Sequence, residues 1–315
     1  MTGTIHWGIN NIFAVRGNDD GVGQDLWECR LKGKVLKDAE DEYNPLSPGD
    51  RVDFEPDPDH AGKGMISARQ PRTNAYSRWN KKRNCPQTLA ANLDLLVLVT
   101  SPVSPPFRPR FLDRALLMAG REDLEVLIVV NKCDQGVPDD VEDRLAEYQD
   151  LGFDVHLCSS QTGEGITELQ EHLKGLTSAL VGQSGVGKSS LLNVLHVGSR
   201  QKVGELSAKH NRGNHTTNFS LYYPWDVGSP AAGGLIDTPG VRELEVFGIE
   251  AAQLAFAWPE FAPFLGQCGF NLCSHTKEPG CAVLKALESG DIHPDRWDNY
   301  QKLYLELQEA ERRWT

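Results

Sequence analysis

The chain has 315 residues, 39% hydrophobic and 24% charged, a balance that fits a soluble globular protein with room for two or three domains. Its formal net charge of −12 argues against non-specific nucleic-acid binding over the whole surface. The apolar run Leu93–Val103 contains Asp94 and a proline and is too short to span a bilayer, so no membrane partner is expected.

The opening Met1-Thr2-Gly3-Thr4-Ile5-His6-Trp7 lacks a basic segment followed by an apolar one, so a cytoplasmic location is expected. From Thr4 to Ser67 the chain reads as β-rich. Trp27–Leu31 and Arg51–Phe54 alternate apolar and polar residues, and Pro48-Gly49-Asp50 is a turn signal between them. A small barrel of OB type over residues 1–70 suits this pattern. Trp7, Trp27 and Phe54 fit its core better than base-stacking platforms. Residues 71–88 read as a polar basic linker. No acidic residue occurs from His60 to Asn92, while Lys63, Arg69, Arg72, Arg78, Lys81, Lys82 and Arg83 all fall there. That strip suits RNA contact and a solvated linker equally well.

Over residues 89–245 the grammar changes. Buried-strand runs at Leu93–Thr100, Val126–Val130 and Val155–Cys158 alternate with helical spacings at Phe111–Ala119, Val141–Gln149 and Ile166–Leu173. This alternation predicts a parallel sheet with helices on both faces. The apolar run Ala179–Val181 and the helix Leu191–Leu195 follow in the same sheet. Val203–Asn218 is polar and aperiodic, and Ser220–Tyr223 and Gly234–Ile236 read as strands. Residues 246–315 hold short helices, a cysteine cluster and a closing helix, Pro294–Arg312.

Between strand and helix lies Gly182-Gln183-Ser184-Gly185-Val186-Gly187-Lys188-Ser189, followed by Ser190. This is the G-x-x-x-x-G-K-[ST] phosphate loop in its proper context. Its glycines let backbone N–H groups turn toward phosphate oxygens. Lys188 reaches the β- and γ-phosphates in this reading, and Ser189 ligates Mg²⁺. Asn131-Lys132-Cys133-Asp134 follows an earlier strand. Asp134 there can accept two hydrogen bonds from guanine, a pair of donors that adenine lacks. Asn131 and Lys132 would brace that loop. Ser159-Ser160-Gln161-Thr162-Gly163 matches a serine-led guanine loop offering backbone N–H groups to the base. Asp237-Thr238-Pro239-Gly240 supplies a D-x-x-G, with Asp237 on the Mg²⁺ side and Gly240 sensing the γ-phosphate. Between them lies Arg212-Gly213-Asn214-His215-Thr216-Thr217. Thr217, with Thr216 as runner-up, is expected on Mg²⁺.

The order of these signals differs from the usual one, which begins at the phosphate loop. A sheet can be cut at one loop and rejoined at another without losing its packing, so the order predicts a circularly permuted GTPase domain. The D-x-x-G then feeds directly into the C-terminal region. Val241 stands where Ras-like enzymes carry a water-orienting glutamine. Another group must then position the attacking water, such as His215 in the switch loop or a group from the partner. Lys188 and His215 are the expected catalytic residues, the alternative for His215 being that it only packs or binds RNA. Cys268, Cys273, His275 and Cys281 form a ligand set able to close a tetrahedral structural zinc site. Cys29, Cys85, Cys133 and Cys158 read as plain thiols.

Together these features closely resemble the ribosome small-subunit-dependent GTPase A family, the circularly permuted GTPases of small-ribosomal-subunit biogenesis. The resemblance covers nearly the whole chain. It is carried by Pro48-Gly49-Asp50, the permuted motif order, Arg212-Gly213-x-His215-Thr216-Thr217, the cysteine–histidine spacing, Glu278-Pro279-Gly280-Cys281 and Asn299-Tyr300-x-Lys302-Leu303. It implies an OB-fold, a permuted GTPase and a zinc-binding helical domain. It further implies GTP and GDP as ligands with Mg²⁺, and binding of the 30S subunit and its 16S rRNA late in maturation. Hydrolysis stimulated by the ribosome and acting by a monomer completes the expectation, and the histidine matching His215 is implicated in that hydrolysis. The alternative is a non-catalytic RNA-binding assembly scaffold that senses GTP and GDP. An ATP-dependent enzyme is opposed by Asp134.

Overall fold

The computed structural model describes residues 1–18, 26–33, 43–195, 219–225, 233–241 and 243–314. Five strands, β1 (Thr2–Ile9), β2 (Ile12–Gly17), β3 (Leu26–Leu31), β4 (Arg51–Pro56) and β5 (Lys63–Arg69), close into a barrel in the order β1-β2-β3-β5-β4. Only β3 and β5 pair parallel among these strands, as in an OB-type barrel. Inward residues alternate along each strand and place Ile5, Val15, Cys29, Val52, Phe54 and Ile66 in the core. Trp27 packs on Phe54 with ring centroids 5.8 Å apart. Trp7 is buried against the central domain, so these aromatics serve packing.

The Pro48-Gly49-Asp50 turn joins barrel to remainder. Gly49 has φ +90°, and a Cβ there would lie 2.1 Å from the Ala91 carbonyl oxygen. Only glycine allows that approach. Asp50 is fully buried and accepts from Arg72 Nε at 2.7 Å and Nη2 at 2.9 Å. Arg72, part of the basic strip, is thus a structural partner. Residues 71–88 are not an extended linker. They enter an antiparallel hairpin, β6 (Ala75–Asn80) with β7 (Cys85–Ala91). Its inner residues Tyr76, Leu89 and Ala90 are buried in the central core, and that burial outweighs the polar composition of the turn.

The central sheet has the order β10-β9-β8-β11-β13-β12. Its strands are β8 (Leu95–Thr100), β9 (Val126–Val130), β10 (Asp154–Leu157), β11 (Thr177–Gly182), β12 (Leu221–Pro224) and β13 (Gly234–Asp237). All neighbours are parallel except β12 with β13. Alternate residues feed opposite faces. Leu95, Val97 and Val99 meet α3 (Ile166–Leu173) and α4 (Lys188–Leu195) on one side. Leu96 and Leu98 meet α1 (Pro109–Gly120) on the other, and α2 (Asp139–Asp150) follows β9 in the chain. Both faces are covered, as a parallel sheet requires.

The C-terminal region has two 3₁₀ turns, Ala251–Ala257 and Pro259–Phe264, then α5 (Ala282–Ser289) and α6 (Pro294–Trp314). Its core is continuous with the α1 face of the sheet through Trp258, Phe261 and Tyr300. Beneath them Asp113 of α1, buried, accepts from Arg296 Nη1 at 2.5 Å, Tyr148 Oη at 2.6 Å and Asn299 Nδ2. Arg296 also donates to both Glu260 carboxylate oxygens. Removing one member of such a buried network would leave an uncompensated charge, so this region is keyed to α1. No helix among the described residues is long and apolar enough to cross a membrane.

Candidate functional site

The phosphate loop leaves β11 at Gly182, where a Cβ would sit 2.2 Å from the Val99 carbonyl oxygen. It turns through Gly185 (φ +89°) and Gly187 (φ +96°) and enters α4 at Lys188. Left-handed backbone at both glycines shapes the N–H cradle. The loop is bolted in place from outside. Asn131, fully buried, donates through Nδ2 to the Val186 carbonyl at 2.9 Å and accepts from the Ser160 N–H at 2.9 Å. A Cβ on Gly187 would lie 2.3 Å from Asn131 Nδ2. Lys132 donates through Nζ to the Gly185 carbonyl at 2.6 Å and to the Ser104 carbonyl at 2.7 Å.

One residue further, exposed Asp134 accepts from Ser159 Oγ at 2.5 Å. That hydroxyl oxygen accepts in turn from the N–H groups of Gln161 and Thr162. The N-K-x-D tetrad, the serine loop and the phosphate loop therefore form one hydrogen-bonded assembly.

Lys188 is buried, and its Nζ donates to the carbonyls of Gly182 at 2.8 Å and Gln183 at 3.1 Å. Burial lowers its pKa to about 8, partly offset by the Asp237 carboxylate. A cation held under such a desolvation penalty is stabilised by an anion arriving at the loop. Ser184, Ser189 and Ser190 are exposed on the same surface. Asp237 is buried at the end of β13, beside the loop through the parallel pairing of β11 with β13. The next residue, Thr238, donates to the Leu180 carbonyl at 2.7 Å. Gly240 lies against Ser184, and the Val241 N–H reaches the Gly182 carbonyl at 3.2 Å. The Val241 side chain is buried in the core. His215, Thr216 and Thr217 lie outside the described residues.

The second cluster is Cys268, Cys273, His275 and Cys281, whose ligand atoms all lie within 4.8 Å of one another. Cys268 Sγ and Cys281 Sγ are 3.9 Å apart, and His275 Nδ1 lies 3.5 Å and 3.4 Å from them. Zinc–sulfur bonds of about 2.3 Å give a tetrahedral edge of about 3.8 Å, so the set fits that ion. Glu278 braces the loop by accepting from the N–H groups of Ser274, Thr276 and Lys277. Partial burial raises the Glu278 pKa, but the hydrogen bond from the Ser274 hydroxyl, with the N–H groups of Ser274 and Lys277, prevails and holds it at about 2. Elsewhere, burial pushes the Cys29 and Cys158 thiols up to about 12, as inert thiols require.

Sequence reasoning missed the Ser104 carbonyl that holds Lys132 and the Thr238 hydroxyl that ties β13 to β11. The first acts through backbone, which no residue type signals.

A sequence model of the RsgA GTPase family matches residues 69–247. A small ribosomal subunit biogenesis GTPase RsgA of Borrelia recurrentis is 36% identical over 303 residues, 96% of this chain and 93% of that protein. Its namesake from Chlorobaculum tepidum is 40% identical over 288 residues, 89% and 91%. The crystal structure of YjeQ from Thermotoga maritima is similar at TM-score 0.71, with 31% identity and 98% of both chains covered. That of YloQ, a circularly permuted GTPase, is similar at TM-score 0.68, with 28% identity over 98% of this chain and 95% of that one. With a barrel, a permuted sheet and a Cys₃His cluster in one chain, and relatives matching it along nearly its whole length, this chain belongs to the RsgA GTPase family.

Proposed function

We propose that this chain hydrolyses GTP to GDP and phosphate in the biogenesis of the small ribosomal subunit, at a late stage, with contact to 16S rRNA. The observation that carries the reading is the assembly of Asn131, Lys132, Asp134 and Ser159 around a phosphate loop. Such an arrangement selects guanine and positions its phosphates. Asp134 reads the base, with backbone N–H groups near Ser160 facing its carbonyl oxygen. Gly182 to Ser190 cradle the phosphates, and Lys188 lies along the β–γ bridge. Ser189 and Thr217 are assigned to Mg²⁺, with Asp237 behind them. Bound Mg²⁺ neutralises charge on the β- and γ-phosphates.

Core-bound Val241 cannot orient the attacking water, which leaves that task to His215 or to the partner. Slow turnover alone and faster turnover on the ribosome follow. The Cys268–Cys281 cluster is assigned one structural zinc, with no open position for catalysis. The units assigned are 1–70, 89–245 and 246–315, with the basic stretch 71–88 between the first two, in a cytoplasmic monomer. Val241 also favours a second reading, a nucleotide-sensing RNA scaffold without catalysis.

Multiple-turnover GTPase assays with and without purified 30S and 50S subunits decide between them. Stimulation by 30S, and a loss of about 100-fold or more in Lys188→Ala, are expected. Single turnover or none in both conditions would leave only the scaffold. Elemental analysis should find one zinc per chain, and a metal-free folded protein would contradict the zinc assignment.

A further inference from the structure

The D-x-x-G runs on into a strip with buried apolar and exposed acidic side chains. Val241, Leu244 and Val246 are buried, while Glu243 and Glu245 face solvent. Both glutamates meet the hairpin, from a quite different part of the chain. Lys81 Nζ lies 3.3 Å from Glu243 Oε2 and 3.7 Å from Glu245 Oε2. Two residues earlier, the Trp79 ring packs on Phe247 with centroids 5.4 Å apart. The Arg121 guanidinium also lies over that phenyl ring, 5.1 Å from its centroid, and Arg121 donates to the Phe247 carbonyl at 3.2 Å. Gly248 has φ +69°, and a Cβ there would strike Arg121 at 2.7 Å. Phe247 is thus a fixed pivot between hairpin and α1. The charged contact nearer the switch is of another kind, with side chains 65% (Lys81), 81% (Glu243) and 45% (Glu245) exposed.

The turn that carries Lys81 is preformed. Asn80 accepts from the N–H groups of Lys82 and Arg83, and its carbonyl accepts from Asn84. Lys81, Lys82 and Arg83 are all exposed there, with no acidic residue from His60 to Asn92. Among the described residues, Lys81 pairs with the two switch-side glutamates. A polyanion that docks on this turn competes with them for the same ammonium group. Exposed pairs of this kind are weak and salt-screened, so phosphates arrayed along a backbone can displace them.

We propose that the β6–β7 turn is a polyanion-released latch. Lys81 holds the strip after the D-x-x-G through Glu243 and Glu245, and RNA backbone phosphates free it by taking Lys81. The latched strip keeps Gly240 and Val241 against the phosphate loop, and its release frees the D-x-x-G to rearrange around the γ-phosphate. This rests on the proposed reading of a GTPase stimulated by the ribosome.

The test is the unstimulated GTP turnover of E243Q/E245Q beside the native chain, at low and high salt and with 30S subunits. Neither glutamate belongs to the nucleotide site. In low salt the double variant should turn over about two- to fivefold faster than the native chain, the range set by exposed pairs. High salt should narrow that gap, and 30S subunits should stimulate the variant by a smaller factor. The charge swap K81E/E243K/E245K should return unstimulated turnover to the native value while demanding more 30S for stimulation. Equal unstimulated turnover of E243Q/E245Q and the native chain in low salt would overturn the latch. A native chain that 30S does not stimulate would instead overturn the functional reading, and the unstimulated comparison would still judge the latch.

Discussion

The base side and the switch side of the nucleotide site are built differently. On the base side the connections are short and directional. Asn131 is fully buried between Val186 and Ser160, Lys132 clamps two carbonyls, and Asp134 is held by Ser159. On the switch side, Gly240 and Val241 rest against the loop, and the strip beyond leaves through a solvent-exposed Lys81–Glu243–Glu245 contact and an aromatic stack. The comparison teaches where each task is controlled. In the proposed reading, the guanine-binding loops are already assembled in the free protein, whereas hydrolysis depends on contacts weak enough for a partner to rearrange.

Three perturbations test that contrast, beginning with the largest effect. Asp134→Asn should lower GTP affinity by about 100-fold, since a site built on paired hydrogen bonds rejects a mismatched partner strongly. Xanthosine triphosphate should gain what GTP loses, and unchanged preference in competition binding would remove Asp134 from base recognition. Asn131→Ala leaves the Val186 carbonyl and the Ser160 N–H without their partner. It should cost about 2 to 3 kcal/mol of stability, read from urea midpoints, with weaker binding of GTP and GDP alike. A variant that binds both normally would show that the base side is not braced through this residue.

The smallest effect is that of pH. The buried Lys188 ammonium has its pKa lowered to about 8, and phosphates favour its charged form, so nucleotide binding takes up a proton above that pH. Affinity should therefore fall as pH rises, by roughly fivefold from pH 8 to pH 9. Calorimetry in buffers of different ionisation enthalpy should detect the uptake, and a flat profile would contradict it.

The base side was also the more legible in sequence. Gly185 and Gly187 are needed because local backbone demands them, and Asp134 stands out because, in the proposed reading, guanine presents two donors to it. The Cys₃His cluster, able to hold a metal, is legible for a similar reason, since thiolate and imidazole have few other uses at such spacing. The hairpin escaped because its strands are secured by few apolar residues, Tyr76 and Leu89–Ala91 among them, behind a basic turn. The Arg72–Asp50 pair and the Asp113–Arg296–Glu260 network escaped because their partners are remote in sequence. Nothing along the chain says that Lys81 meets Glu243 and Glu245, 162 residues away for the first of them.

The most direct measurement is GTP affinity and turnover number, each determined with and without saturating 30S subunits. The account predicts a Kd for GTP that changes little and a turnover number that rises. A subunit that tightened GTP binding severalfold while leaving the turnover number unchanged would contradict it.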